Sequence, residues 1–273
     1  MNEFGPGLYV VGTPIGNLGD LTPRATAVLA AAAIVAAEDT RTSGKLLKIA
    51  GASARLVSLT EHNVAQRTPS LLEAAKDRVV ALVSDAGTPV IADPGARLVD
   101  AAHTTGIPVY AIPGPSAVVA AVSVSGFEGS DVHFLGFLPR SRTDRIERLR
   151  DAAAGAAVLV FFESPSRLSR TLEELSETLN DPDVAVCREI TKIHEEVVRG
   201  RASSLVSRFV ATKGECTVVV KSPPHELPSD ADAVAAYLAE MKRAGARRAG
   251  AATEAARRFG ISRSRAYGLW DES

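Results

Sequence analysis

Short apolar runs recur through the first half of the chain at 7–12, 33–37, 56–59, 79–84 and 108–112, with helix-length stretches such as 22–32, 63–77 and 95–105 between them. Runs of this length, rich in valine, leucine and isoleucine, have the character of buried strands. Their alternation with helical segments predicts a mainly parallel α/β sheet. A second series, at 132–136, 157–162, 184–187, 195–198 and 216–220, has less helix between its later members. Thr191 to Val198 reads as a strand pair with a short turn, which favours a mixed or partly antiparallel second sheet. The expected fold class is α/β, with one domain over 1–117, a second over 118–224, and a junction near 113–125. Pro223-Pro224-His225-Glu226-Leu227-Pro228-Ser229 suits neither a helix nor a central strand and reads as an extended linker. Beyond it, 231–241, 249–259 and 262–269 predict a small helical module over 229–273. Its stretch from Phe259 to Tyr267 resembles the turn and second helix of a helix-turn-helix.

In α/β sheets, ligands bind where the carboxyl ends of strands give way to helices. Ser84-Asp85-Ala86-Gly87-Thr88-Pro89-Val90-Ile91-Ala92-Asp93-Pro94-Gly95 stands at such a place, with crowded small residues and two acids. Val109 to Ile112 runs into Pro113-Gly114-Pro115-Ser116-Ala117, where Ser116 is placed to cap a small-residue helix. Two such loops predict one shared pocket. Near the amino terminus, Gly12, Gly16 and Gly19 miss the dinucleotide spacing, and Gly44-Lys45 lacks the rest of a phosphate-binding loop.

Glu38-Asp39-Thr40-Arg41, Lys45 and Glu61-His62-Asn63 follow other strand ends, and with Arg24 they offer groups suited to a phosphate backbone. Solvated turns with helix caps from Thr42 or Asn63 are the alternative. Phe162-Glu163-Ser164-Pro165-Ser166-Arg167 and Arg188-Glu189-Ile190-Thr191-Lys192 line the same cleft from the second domain or else form structural ion pairs. The histidines fit no ligand pattern, so no metal site is expected.

The chain of 273 residues is 46% hydrophobic and carries a formal net charge of −1, so its overall field does not announce a polyanion. The balance is local. Lys242, Arg243, Arg247, Arg248, Arg257, Arg258, Arg263 and Arg265 face only Glu254 within 242–265. Arg140, Arg142, Arg145, Arg148 and Arg150 likewise outnumber Asp144 and Glu147, either as a solvated helix face or, with the tail, as a track for a polyanion. Aromatic residues are few at 5%, which places phosphate contact ahead of base stacking. Cys187 and Cys216 sit far apart in apolar runs without ligand or disulfide spacing. No leader pattern or bilayer-length apolar run is present, and the expected location is cytoplasmic.

The ordered motifs Gly12-Thr13-Pro14-Ile15-Gly16-Asn17-Leu18-Gly19-Asp20, Ala37-Glu38-Asp39-Thr40-Arg41, Ser84-Asp85-Ala86-Gly87-Thr88-Pro89, Pro113-Gly114-Pro115-Ser116, Phe162-Glu163-Ser164-Pro165 and Arg188-Glu189-Ile190-Thr191-Lys192 closely resemble the tetrapyrrole-methylase superfamily. Within it they resemble the ribosomal branch, the RsmI family, over about 7–220. Tetrapyrrole-making relatives usually carry Gly-Asp-Pro where this chain has Gly87-Thr88-Pro89.

The resemblance implies a homodimer whose two α/β domains hold S-adenosyl-L-methionine in the cleft between them. It further implies 2′-O-methylation of a cytidine in the decoding region of small-subunit ribosomal RNA, free or in the 30S subunit. By motif, the implied donor contacts are Pro14, Asp85, Thr88, Ile91, Ser116, Ala117, Phe162 and Thr217. A ribose hydroxyl is a poor nucleophile, and Glu189, Glu38 and Lys192 are the candidates for a base. Candidate RNA contacts are Arg24, Arg41, Lys45, His62, Asn63, Arg140, Arg142, Arg167, Arg257, Arg263 and Arg265. A tetrapyrrole-precursor methyltransferase and a non-enzymatic RNA-binding assembly factor are the alternatives.

Overall fold

A computed structural model describes residues 4–222 and 231–272. The chain divides between Pro223 and Pro224 into two compact units. The expected linker over 223–229 lies outside the described residues.

The first unit begins with a parallel sheet of β1 (Gly7–Val11), β2 (Ile34–Ala37), β3 (Arg55–Ser58), β4 (Val79–Val83) and β5 (Val109–Ile112), in the order β3-β2-β4-β1-β5. Every residue of β4 is buried, as a central strand covered on both faces requires. Alternate side chains serve opposite faces. Tyr9, Val11, Val35, Ala81 and Val83 pack under α1 (Pro23–Ala31) and α2 (Thr40–Ile49). Leu8, Ala36, Val80 and Leu82 pack under α3 (Val64–Ala75) and α4 (Ala96–Thr104). The connection out of β1 runs one way across the sheet and that out of β4 runs the other, so their following loops part at a switch point.

α5 (Ala117–Ser125) leads into a mixed sheet of β6 (Val132–Phe137), β7 (Val158–Glu163), β8 (Asp183–Arg188), β9 (Glu196–Arg201) and β10 (Cys216–Lys221), in the order β6-β7-β10-β8-β9. Only β6 and β7 run parallel. One face packs against α6 (Arg142–Ala153), α7 (Pro165–Thr178) and α8 (Ala202–Leu205), and the other packs against Ala121 of α5.

The antiparallel character expected near 191–198 is present, but its partner strand differs. β9 pairs with β8, and 189–195 is their connection. The Lys192 amide donates to the Glu189 carbonyl at 2.9 Å and the Glu195 amide to the Lys192 carbonyl at 3.0 Å, with Glu189 and Thr191 in the left-handed region, so this stretch turns twice.

The caps follow the sequence in part. Thr22 and Ser116 accept from the Ala25 and Val119 amides, as their positions predict. α2, however, is capped by Asp39 and not by Thr42, while Asn63 accepts from the Thr60 amide and makes no side-chain cap bond. The arginines of α6 are also not all solvated. Arg145 is 2% exposed and donates to both carboxylate oxygens of Glu174, at 2.6 and 2.7 Å.

The second unit contains α9 (Ala231–Arg243), α10 (Arg248–Phe259) and α11 (Arg263–Glu272) around Val234, Leu238, Ala252, Ala255, Ala266 and Trp270. Gly260, at φ 60°, ends α10 in the left-handed cap that glycine favours, and the chain turns into α11.

Candidate active site

The loops at the carboxyl ends of the first sheet are tied to one another. Thr13, after β1, exchanges backbone hydrogen bonds with Gly87, after β4, at 2.8 and 3.1 Å. The Asp39 amide donates to Asp85 Oδ1 at 3.1 Å, joining the loops after β2 and β4. Gly12 and Gly114 bring the loops after β1 and β5 into direct main-chain contact. Val90 and Ala92 adopt φ of 76° and 65°. For a β-branched valine this is a strained conformation that its surroundings must hold, and such strain concentrates at functional sites.

These loops wall a cavity of about 410 Å³, within the range of small-molecule sites. Asp85, Thr88, Ile91, Asp93, Ser116 and Ala117 line it from the first sheet. Phe137, Phe162, Glu163, Ile190, Glu215 and Thr217 line it from the second. Among the lining residues are the carboxylates of Glu38, Asp85, Asp93, Glu163 and Glu215, and no lysine or arginine. Burial raises the proton affinity of Glu38, and Asp93, Asp85, Glu61 and Asp39 raise it further. Asp93 is raised by burial and by Asp85, against a hydrogen bond from Ser84. An apolar cavity with surplus negative charge favours a cation that also carries apolar or flat surface. No group of metal-ligating residues occurs among the described residues. Cys216 lines the cavity, but burial pushes its thiol up to about 11, which leaves it without thiolate character.

Seven of the implied donor contacts, Asp85, Thr88, Ile91, Ser116, Ala117, Phe162 and Thr217, line this cavity. Pro14 is buried between Thr13 and the lining residue Ile15 but is not itself on the wall. Glu38 lines the cavity, whereas Glu189 and Lys192 are engaged with each other beside it. Lys192 Nζ donates to Glu189 Oε1 and Glu215 Oε2, both at 2.8 Å. Its bond to Lys192 is the main reason Glu189 sits below the ordinary glutamate range. Partial burial opposes the charge of Lys192, yet its two carboxylate partners hold its affinity for a proton above normal.

The candidate RNA contacts are dispersed. Arg41 is exposed and bonded to Asp39, Arg142 pairs with Glu177 at 2.9 Å, and Arg257 pairs with Glu254. Asn63 is occupied in its own turn, and Arg167 reaches inward to the Leu138 and Pro139 carbonyls. Arg24, Lys45, His62 and Arg140 are exposed on the first unit. Arg263 and Arg265 belong to the second unit, where Arg263 donates to Thr253 Oγ1. Glu163 meets both readings of its motif, since it lines the cavity and pairs with Arg167, and Asp93 of the loop after β4 joins it on the wall. Sequence reasoning missed Phe137 altogether, for which the only local signal is the preceding Gly136.

Two sheets of an α/β unit thus bring residues onto one acidic cavity. The fold matches a solved uroporphyrin-III-C-methyltransferase from Thermus thermophilus, with a TM-score of 0.55, 25% identity, and coverage of 78% of this chain and 93% of that one. It also matches a solved diphthine synthase at TM-score 0.61 and 18% identity, over 78% and 89% of the two chains.

The family Tetrapyrrole (Corrin/Porphyrin) Methylases matches residues 7–206, and the chain belongs to it. A Mesorhizobium japonicum protein named Ribosomal RNA small subunit methyltransferase I is 43% identical over 96% of this chain and 90% of its own length. A Thermotoga maritima protein of the same name is 45% identical over 78% of this chain and 97% of its own length.

Proposed function

We propose that this chain transfers a methyl group from S-adenosyl-L-methionine to the ribose 2′-oxygen of a cytidine in the decoding region of small-subunit ribosomal RNA, as a cytoplasmic homodimer. The observation that carries the reading is the likeness, along nearly the whole chain, to relatives named as ribosomal RNA small subunit methyltransferases. The cavity fits the donor on its own chemistry. Glu38, Asp85 and Asp93 favour a positive centre, and Ile15, Ile91, Val118 and Phe162 offer apolar walls to a flat ring. When bound, that cofactor supplies a methyl group activated on a cationic sulfur.

The chain's own residues then have separable tasks. Ser116 and Thr217 present polar groups from opposite sheets, and the cross-tied loops hold the wall rigid, which is how positioning lowers a barrier. Of the three candidate bases, Lys192 holds its proton and Glu189 is a weakened base. Glu38 faces the cavity with a raised proton affinity, so it is the group fitted to accept a hydrogen bond or proton from a ribose hydroxyl. Exposed Arg24, Arg41, Lys45 and Arg140, with Arg263 and Arg265 of the helical unit, meet phosphates.

The test offers labelled donor with assembled small subunits, naked ribosomal RNA and a porphyrinogen. Label recovered as 2′-O-methylcytidine in the RNA is the expected result. Label in the porphyrinogen, or donor binding without transfer to RNA, overturns the reading.

A further inference from the structure

An irregularity in β6 re-aims one aromatic ring. Phe134 stands opposite Val160 and Phe137 opposite Phe162, so β6 has two residues, Leu135 and Gly136, where β7 has one. Gly136 takes φ 67°, the left-handed conformation that a bulge of this kind asks of glycine. In a regular strand, Phe134 and Phe137 would point to opposite faces. The extra residue brings them to the same one. Phe134 and Phe137 flank the ring of Phe162, at 5.0 and 5.4 Å between centroids, while Leu135 and Leu138 enter the core on the other side. Phe137 is left 65% exposed on the wall of the cavity.

The segment that follows is held from beneath. Arg167 donates to the Leu138 and Pro139 carbonyls, both at 3.1 Å, and is anchored by Glu163, itself a wall residue. Arg145 donates to the Pro139 and Arg140 carbonyls at 2.9 and 3.0 Å while its other nitrogens are fixed on Glu174. The side chain of Arg140 is exposed and makes no ion pair among the described residues. A well-supported loop thus presents an exposed aromatic ring on the cavity wall and, three residues on, an exposed guanidinium with no ion pair among the described residues.

We propose that Phe137 is the stacking platform for the base of the acceptor nucleotide, and that Arg140 takes a neighbouring phosphate of the same strand. The inference rests on reading the cavity as the site of methyl transfer to RNA and adds the residue that recognises the acceptor. An aromatic face and an adjacent cation are the combination by which single-stranded nucleic acid is held. That support means that little ordering is needed on binding. The cavity wall itself is too acidic to attract a phosphate, so the anionic part of the substrate belongs on the Arg140 side.

The experiment compares wild type, F137A, F137L and F137W for donor affinity by calorimetry, for KM and kcat on RNA at saturating donor, and for mass in solution. A second RNA carries an abasic acceptor nucleotide that keeps its ribose. Wild-type transfer with none of the expected F137A effect sinks this inference alone, whereas absence of wild-type transfer sinks the functional reading beneath it. The expected result is a KM for RNA raised about tenfold in F137A, a donor affinity within about twofold of wild type, and retention of function in F137W. On abasic RNA the wild type and F137A become alike. A weakened donor affinity in F137A would assign the ring to the donor instead, and a change in mass would assign it to contact between copies of the chain. Either outcome overturns the proposal.

Discussion

Gly12 and Gly114 lie main chain against main chain, so close that a Cβ on either would stand 2.8 Å from backbone atoms of the other. The contact joins the ends of neighbouring strands β1 and β5, where the Gly12 amide also donates to the Ile112 carbonyl at 3.0 Å. Backbone cannot rotate aside as a side chain can, so G12A and G114A each force the two loops apart. The expected cost is about 1–3 kcal/mol in urea unfolding. Donor affinity should fall as well, because Ile15 and Ser116 ride on these loops. G155A is the control, since nothing lies within 4 Å of its Cβ. Equal stability of G12A and G155A would show that the contact carries no constraint.

Arg145 and Glu174 form a buried pair whose hydrogen bonds are well satisfied. Burial by itself would raise Glu174. The bonds from Arg145 and Arg170 outweigh it and leave the carboxyl below its usual range. A lowered carboxyl contributes stability that is present above its unfolded pKa and is lost as pH falls through the folded value. Removing only Arg145 leaves the buried carboxylate with the more exposed Arg170 and Arg142, at 3.1 and 3.6 Å, and takes the donor from the Pro139 and Arg140 carbonyls, so R145A should cost about 1–3 kcal/mol near neutrality. R145M/E174L, which removes both charges, should recover the part of that loss that comes from the buried carboxylate. If the double variant is no more stable than R145A, packing and the lost carbonyl bonds, and not the carboxylate, explain the effect.

Glu38 and Asp93 have the opposite sign. Both are raised, by burial first and by neighbouring carboxylates second. The folded protein therefore binds their protons more tightly than the unfolded chain, and their contribution to stability, present in acid, is lost as pH rises through the raised values. E38Q should flatten this part of the melting-temperature profile, over the interval from the ordinary carboxyl range upward. A cationic ligand should show the reverse trend, binding more tightly as the two carboxyls ionise. A donor affinity that does not change with pH over the same interval would remove the electrostatic argument for the cavity.

The parallel sheet was legible because each strand carries a short apolar run, and Val79 to Val83 is buried at every position. The loops at its carboxyl edge were legible because glycine, proline and capping residues mark them. Other features depend on partners distant in the chain. Arg145 looks like one more surface arginine of α6 until Glu174, on α7, is brought beneath it. α2 is hard to read from apolar runs because its buried face includes Ser43 beside Leu46 and Leu47. The placement of Phe137 is set by one extra residue in β6, and a period-two reading assigns it to the wrong face. Lys192 and Glu189 carry the residue types of acid–base catalysis, and only their mutual bond and Glu215 show them engaged beside the cavity.

The helical unit has its own small core, with Leu238, Ala252 and Ala266 fully buried, and its surface is strongly basic. Arg248 and Arg257 are matched by Asp271 and Glu254, but Arg243, Arg247 and Arg265 make no ion pair among the described residues. Unmatched guanidiniums act on a polyanion by releasing its counterions, so their effect appears in the salt dependence of binding. A chain ending before Ser229 should keep its donor affinity, since every wall residue of the cavity lies at or before Thr217. Its RNA affinity should fall, and its salt slope should become shallower by roughly 2, about 0.7 for each single-strand phosphate no longer neutralised. Replacing Arg243, Arg247 and Arg265 together by glutamine in the full chain should reproduce that change of slope without truncation. An unchanged slope in both forms would place the RNA-binding surface elsewhere on the molecule.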